Sequence, residues 1–339
     1  MKKSRMDDLS FVRVISTFGI VMAHFLYYLQ NIDTTNLLGY KNGSWGSSFV
    51  AVFFLLSGAV LYYRYADRRC GITYFGKRWK SIFPMYYLAY LYFEIQNMIA
   101  YGSVFFRGNP LRYGFTLLGM DGYLSQNTTT YYILGEWFTG AIIILYLLFP
   151  LLLYVFRKNS TLTIIGVTVL FVLCLDVPII NPVSYWSIPS CLMSFAAGMM
   201  IMKYKEWFSN RWVVLGCFAI GLLFCFVSLP ILTKVGNHVM GVCLFVVLRY
   251  VGGYVMQLGV IHRIVTQLSG ISYAVFLVHH VMIQKITRVW NPSSWWKATV
   301  LLIGGIAIIL IMAKVLTLVT QHLLAWISRF KMKKRKAEE

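Results

Sequence analysis

The sequence predicts an all-α integral membrane protein, in which about ten transmembrane helices form a bundle around a polar cavity and both termini lie in the cytoplasm. Composition gives the first reason. Of 339 residues, 59% are hydrophobic and 12% are charged, and the mean hydropathy is +0.68. Soluble domains of this size do not have such a composition. No polar stretch is long enough for a separate soluble domain, so we assign residues 1–328 to one transmembrane domain and 329–339 to a basic cytoplasmic tail.

Apolar runs divided by Pro, Gly, Asn and clusters of charge define the predicted spans. They lie near 10–30, 46–66, 80–101, 131–156, 161–178, 186–203, 212–230, 239–260, 268–286 and 297–326. The first span is too long, and too polar in its core, for a cleaved signal peptide, so we expect it to be retained. The longest polar segment, residues 102–130, is predicted to be an external loop that helps to hold an acceptor.

The distribution of basic residues gives the second reason. The formal net charge is +20. Loops assigned to the cytoplasm hold Lys2, Lys3, Arg5, Arg64, Arg68, Arg69, Lys77, Arg78, Arg157, Lys158, Lys203, Lys205, Arg211, Arg263 and the tail from Arg329 to Lys336. Loops assigned to the outside hold Lys41, Arg107, Arg112, Lys234, Lys285, Arg288 and Lys297. This alternation follows the positive-inside rule and explains the charge without a nucleic-acid partner. The tail is expected to contact anionic lipid headgroups.

Cysteine usage argues against a metal centre. Five of the six cysteines lie in hydrophobic segments, Cys70 lies in a basic loop, and none forms a CxxC pair. The sequence therefore predicts neither a disulfide framework nor a zinc site, and no metal is expected.

A histidine within the first span is the leading candidate for chemistry. His24 follows Arg13 by 11 residues, which returns both side chains to within about 20° of one helix face and separates them by about 16 Å. Ionisable groups at membrane depth are costly and often mark function. We expect Arg13 near the cytoplasmic edge and His24 near the middle of the span, as a base that titrates near neutrality. The alternatives are a packed structural histidine and an arginine that reaches the headgroups.

A second set of residues follows the second span. Phe53-Phe54-Leu55-Leu56-Ser57-Gly58 contains a glycine that allows close helix contact. Basic side chains come next, in the segment Lys77-Arg78-Trp79-Lys80-Ser81-Ile82-Phe83-Pro84 and before it at Arg68 and Arg69. Such a cluster can hold the phosphates of an anionic donor, although positive-inside bias alone also explains it.

Together these segments resemble the membrane acyltransferase-3 family over nearly the whole chain. The resemblance rests on five ordered segments. They are Arg13-x10-His24 after Asp8-Leu9, Phe53 to Gly58, Lys77 to Pro84, Trp137-Phe138 with Tyr146 and Phe149-Pro150, and Gly270-Ile271-Ser272-Tyr273-Ala274-Val275-Phe276-Leu277-Val278-His279. Residues 1–328 are then the acyltransferase-3-like domain.

The resemblance implies transfer of an acyl group, usually acetyl from acetyl-CoA, to a sugar hydroxyl of a capsule, exopolysaccharide or other cell-envelope glycan or lipid-linked precursor. It implies that His24 is catalytic with Arg13 as its motif partner, and that Arg78 binds the donor. Lys77, Lys80, Arg68 and Arg69 are further candidates for donor phosphates. The implied location is the plasma membrane, with acyl-CoA as a donor substrate and no tightly bound cofactor; polysaccharide-synthesis machinery is a further partner it suggests.

The chain departs from the family pattern at two places. Ser81 stands where the family often has a second arginine, and Ile142 and Ile143 replace acidic residues that many members carry. Glu136 is a substitute for those acids or a solvated helix-end carboxylate. His279 matches the family position, and because His280 points about 100° away, at most one of the two is expected to share a cavity with His24.

Other charges within the spans are interpreted mainly as structural. Arg249 and Lys314 need partners, and Glu94 and Asp176 are the candidate counter-charges. Two other functions stay open at this point. A polytopic transporter or flippase of a glycan or small metabolite fits the composition, although no hydropathy repeat supports it. An accessory scaffold for a polysaccharide synthase explains the spans but not His24.

Overall fold

The computed structural model describes residues 6–134, 137–175, 177 and 186–338, with side chains described to Arg329. In chain order its elements are α1 (Asp7–Tyr28), α2 (Thr35–Leu38), β1 (Gly39–Tyr40), β2 (Gly43–Ser44), α3 (Trp45–Tyr65), α4 (Ile72–Tyr101), α5 (Tyr113–Leu117), α6 (Asp121–Leu124), α7 (Trp137–Lys158), α8 (Ser160–Leu173), α9 (Ile188–Lys203), α10 (Arg211–Phe226), α11 (Thr233–Val255), α12 (Gly259–Val289) and α13 (Trp295–Glu338). The two short strands pair antiparallel in a hairpin.

The predicted helical character of the chain is confirmed. Among the described residues, six helices are long and apolar enough to cross a membrane, namely α1, α3, α7, α11, α12 and α13. Three shorter apolar helices, α8, α9 and α10, accompany them. The thirty-residue α4 contains the remaining predicted span. Each of the ten predicted spans therefore corresponds to a helix, whereas ten membrane crossings and the cytoplasmic location of the termini stay predictions.

Several boundaries differ from the sequence prediction. α4 begins at Ile72 instead of residue 80, so the basic segment with Arg78 is helical. α13 continues without a break to Glu338, through the predicted tail. The predicted loop 102–130 contains the short helices α5 and α6. These differences share one cause, because hydropathy marks where a helix is apolar and not where its hydrogen bonds begin or end.

Polar contacts fasten the two ends of the bundle. We call the end where α1 begins the inner end and the opposite one the outer end. At the inner end Arg157 donates to the main-chain oxygens of Tyr65, Ala66 and Arg68, at 2.5, 2.8 and 2.6 Å, which satisfies carbonyls at the end of α3. At the outer end Asn42 donates to the carbonyls of Phe224 and Val227.

Close backbone contact between α3 and α9 organises the centre. A Cβ added to Gly58 would lie 1.9 Å from the carbonyl oxygen of Phe195, and one added to Gly198 would lie 1.9 Å from that of Leu55. Only glycine fits at both places, so the predicted role of Gly58 in helix contact is confirmed. The other half of the bundle packs α1 against α12, which carries the candidate site.

Candidate active site

His24 lies four residues before α1 ends at Tyr28, and its side chain is half-buried. At 1.5 Å per residue it is about 6 Å from the outer end of the helix and about 26 Å from Asp7. The prediction of a base near the middle of the span is therefore wrong. The spacing from Arg13 fixes the shared face and the separation, but not the depth of the pair.

The ring of His24 is hydrogen-bonded to a second histidine. Its Nδ1 lies 3.0 Å from Nε2 of His279 on α12. The other nitrogen of His279, Nδ1, lies 2.8 Å from the carbonyl oxygen of Phe276 and 3.1 Å from that of Val275. Carbonyls only accept, so Nδ1 of His279 carries a proton, and its Nε2 in the neutral ring accepts. Nδ1 of His24 must then donate, which leaves Nε2 of His24 with its lone pair.

Two cavities meet at this ring. One, of about 510 Å³, contains His24, Tyr27, Tyr28 and His280 in its wall and faces the outer segments; we call it the outer cavity. The other, of about 260 Å³, has His24, Phe138 and Phe276 in its wall together with Leu38 and Ser44 of the hairpin segment at the outer end; we call it the hairpin cavity. Trp137 lines both of them. A reacting group that occupies either cavity has access to the half-buried imidazole.

The two neighbouring histidines of α12 have different positions. His280 lines the outer cavity with His24, and its Nε2 lies 2.9 Å from the hydroxyl of Tyr28. His279 is 1% exposed and lies behind His24. The expectation that at most one of the two shares a cavity with His24 is confirmed, since only His280 belongs to that described cavity wall. Positioning of the imidazole falls to the buried His279.

Arg13 contacts the same helix as His24 but at a distance. Its Nη1 donates to Oγ of Ser269, 3.3 Å away and ten residues before His279 on α12. The shared face of Arg13 and His24 is thus confirmed, because both bond to α12. Arg13 is not part of either cavity wall, and its described hydrogen bond joins α1 to α12.

Arg78 lies on α4 between two tyrosines. Its guanidinium carbon is 6.0 Å from the ring centre of Tyr74 and 5.6 Å from that of Tyr146 on α7, distances at which a cation interacts with an aromatic face. Its Nε is buried and has no hydrogen-bond partner in the described part of the chain. Ser81, where the family often has arginine, donates instead to the carbonyl of Arg78. A half-buried cation with an unsatisfied donor is suited to bind an anionic group.

The other predicted donor-binding residues are less enclosed. Lys77 and Lys80 are exposed on α4, and Arg68 and Arg69 are exposed in the segment between α3 and α4. The structure therefore singles out Arg78 and leaves these four as surface charges around it. Glu136 lies outside the described residues.

Aromatic side chains connect the surroundings of Arg78 to the hairpin cavity. One helical turn beyond Arg78, the carbonyl of Ile82 accepts a hydrogen bond of 3.3 Å from Tyr273. The ring of Tyr273 stacks on Phe276, which lines the hairpin cavity. Phe276 also contacts Phe138, with ring centres 5.3 Å apart.

Phe138 continues this packing towards α3. Its ring centre is 4.7 Å from that of Phe54 and 6.0 Å from that of Phe53. Phe138, Phe276, Phe53 and Phe54 thus form an aromatic layer next to His24. Trp137 and Phe138 of this motif thus line a cavity with His24, whereas Tyr146 of the same motif contacts Arg78.

The remaining ionisable residues of the spans have structural contacts. Arg249 pairs with Asp8, Nε to Oδ2 at 3.0 Å, instead of with either predicted counter-charge. Tyr113 donates a short hydrogen bond to Glu94. Lys314 is exposed on α13, and Asp176 lies outside the described residues.

Among the described residues, no group of three or more His, Cys, Asp or Glu side chains has a geometry that holds a metal ion. The fold and the site thus define a helical membrane protein with a histidine at the wall of two cavities. The chain belongs to the acyltransferase-3 family, since the family model Acyl_transf_3, described as an acyltransferase domain, matches residues 6–314. Neither the curated proteins nor the solved structures contain a match.

Family membership confirms the resemblance predicted from the motifs and supports membrane acyltransferase activity. Sequence reasoning did not single out several residues that the fold brings to His24. Arg107 was interpreted as a loop charge, and Trp186, Tyr28, Tyr132 and Gln284 were not considered as site residues. Their spacing carries no signal, because each comes from a different part of the chain.

Proposed function

We propose that this protein is a multi-pass O-acetyltransferase of the plasma membrane, which transfers acetyl from acetyl-CoA to a sugar hydroxyl of a cell-envelope polysaccharide or its precursor. One observation carries the proposal. The imidazole of His24 donates through Nδ1 to a buried histidine and presents Nε2, a proton acceptor, where two cavities meet. Acyl transfer to a hydroxyl needs such a base.

The chemical step uses one nitrogen. In direct transfer, Nε2 of His24 removes the proton of the sugar hydroxyl while its oxygen forms a bond to the thioester carbonyl carbon. The C–S bond then breaks, and the imidazolium returns the proton to the CoA sulfur. In the alternative, Nε2 attacks the thioester carbonyl carbon, the C–S bond breaks and the CoA thiolate leaves. The sugar hydroxyl oxygen then attacks the acetyl-imidazolium, the bond from Nε2 to the acetyl carbon breaks, and the hydroxyl proton passes to the CoA sulfur. His279 holds the required tautomer in either route.

The inner end supplies the donor in this proposal. Arg78 binds a CoA phosphate, and Lys77, Lys80, Arg68 and Arg69 attract the nucleotide part by charge. From Arg78 to Ile82 and from Tyr273 to His279, the helical rises add up to about 15 Å. An extended peptide of four to five residues has this length, and the pantetheine arm, with its two amides, is comparable.

The test is donor consumption by the purified protein. With labelled acetyl-CoA and envelope glycan as acceptor, the wild type is expected to transfer label, and His24→Ala is expected to lose transfer by at least about 100-fold. His322→Ala, which changes an exposed histidine of α13, is the matched control and should keep full activity. A transporter does not consume the donor. Retained transfer in folded His24→Ala would refute the catalytic assignment, and NMR of the glycan identifies the ester formed.

A further inference from the structure

The outer cavity has walls that suit a sugar ring. Trp137 and Trp186 stack there with ring centres 4.8 Å apart and an interplanar angle of 10°, and both line the cavity that contains His24. Broad aromatic faces bind the C–H face of a pyranose and leave its hydroxyls to polar groups. Gln284 and His280 supply such groups in the same wall. The cavity thus combines an apolar platform with hydrogen-bonding side chains next to the proposed base.

An exposed arginine lines the same cavity. Among the described residues no carboxylate lies within ion-pair distance of Arg107. Its charge favours the ionised form of the buried Asp121. Its loop is fixed by other groups, since Arg112 donates to the carbonyl of Arg107 at 3.1 Å and Gly108 adopts a φ of +87° in the turn that follows. The guanidinium is therefore presented by an ordered backbone.

The cavity wall also contains a residue with an unusual backbone. Tyr132 has a φ of +37°, and it is the non-glycine residue with positive φ among those described. Such conformations cost of order 1 kcal/mol or more and are concentrated at ligand sites. Tyr132 lines the same cavity as the tryptophan pair.

We propose that the outer cavity is the acceptor subsite and that it selects a saccharide bearing an acidic group, a carboxylate or a phosphate. The sugar ring packs on Trp137 and Trp186, the acidic group binds Arg107, and a hydroxyl of the ring reaches Nε2 of His24. This inference rests on the proposed acetyltransferase function and adds the class of acceptor to it.

The test uses the cell's own glycan as the probe. Envelope glycan from cells that lack this protein is divided into three samples: untreated, with carboxylates reduced to hydroxymethyl groups, and with phosphates removed. Transfer of label from acetyl-CoA by the purified protein gives KM and kcat for each sample. The KM of the wild type is expected to rise about tenfold or more on the sample from which the recognised group has been removed. The sample that shows this rise identifies the group as carboxylate or phosphate.

Variants connect this preference to the cavity. Arg107→Ala is expected to raise KM for untreated glycan about tenfold and to abolish the difference between samples, whereas Arg107→Lys restores part of it. Trp186→Ala is expected to raise KM about fivefold on every sample. Arg288→Ala and Trp290→Ala, which change an exposed arginine and tryptophan at the outer end of α12, are the matched controls and should behave as wild type.

The outcomes separate the two proposals. If the wild type transfers no label to any sample, the acetyltransferase proposal fails. Suppose that transfer depends on His24, that the carboxylate-reduced and dephosphorylated samples have the same KM as the untreated one, and that Arg107→Ala has the same KM as Arg288→Ala. The acceptor subsite is then refuted, while the acetyltransferase proposal stands. Comparable thermal melting of Arg107→Ala and Arg288→Ala shows that the difference in KM does not come from unfolding.

Discussion

Replacing His279 by phenylalanine tests whether this residue sets the proton position on His24. Phenylalanine keeps an aromatic ring and places an apolar side chain in a site that is 1% exposed. What disappears is the acceptor nitrogen 3.0 Å from Nδ1 of His24. The acceptor that His279 offers to the Nδ1 proton of His24 is then lost, and only the hydrogen bond of His24 with the main chain of Ile20 remains among its described partners. The tautomer with the proton on Nε2, which cannot accept the proton of the acceptor hydroxyl at that nitrogen, is expected to become more populated.

The size of the effect follows from the bond that is lost. A donor left unsatisfied in a buried place costs about 1–3 kcal/mol, and about 1.4 kcal/mol corresponds to a factor of ten in rate. Loss of a buried partner that orients a functional histidine has effects of the same order. We therefore expect His279→Phe to lower kcat about 10- to 100-fold, with little change in KM for acetyl-CoA, because Arg78 and its surroundings are untouched.

The assay is steady-state transfer with purified protein, supported by the pH profile of kcat. His279→Gln offers an oxygen that accepts from Nδ1 of His24 and is expected to recover part of the lost rate. His322→Phe is the control for a histidine-to-phenylalanine change at an exposed place. A folded His279→Phe protein with wild-type kcat would refute the assignment. So would a loss that appears only in KM for the donor.

Three further predictions concern stability and are read by thermal melting in detergent. Gly58→Ala places a Cβ against a backbone carbonyl of α9 and is expected to destabilise the protein by about 3 kcal/mol. The control Gly216→Ala, whose Cβ meets no atom within 4 Å, should be neutral or slightly stabilising. Equal melting temperatures of the two variants would contradict the close packing. Arg249→Met leaves Asp8 unpaired at the inner end and is expected to cost about 3 kcal/mol or more, so an unchanged melting temperature would rule out a structural role for the pair. Burial raises the pKa of Asp121 above its ordinary 3.8, so the free energy of unfolding should fall as pH rises from 3.8 through the raised pKa. Asp121→Asn should remove this fall. A wild-type melting temperature that rises over the same pH range would oppose the assignment.

Much of the fold was accessible from the sequence because it depends on local properties. Hydropathy marked the helices, and the 11-residue spacing predicted that Arg13 and His24 share a face, as their bonds to α12 show. The motif glycine at Gly58 also had its physical meaning in the sequence, since a missing side chain next to an apolar run implies close helix contact. Each of these inferences needs no knowledge of which helices are neighbours.

Partners that lie far apart in the chain were not accessible. His24 and His279 are separated by 255 residues, and no spacing rule relates them. The counter-charge of Arg249 proved to be Asp8 because packing of α1 against α11, and not the depth of a carboxylate in its span, decides which groups meet. A single sequence ranks residues by type and local position, whereas a site is defined by the packing of distant segments.

The depth of His24 decides what each substrate has to do. In the proposed reaction, an acceptor in the outer cavity needs to enter only a short way, because the ring lies about 6 Å from the outer end of α1. A pantetheine arm that starts at Arg78 has to cover about 15 Å and to pass the layer of Phe138 and Phe276. On this proposed route, the layer separates the thioester from outer water up to the point of transfer.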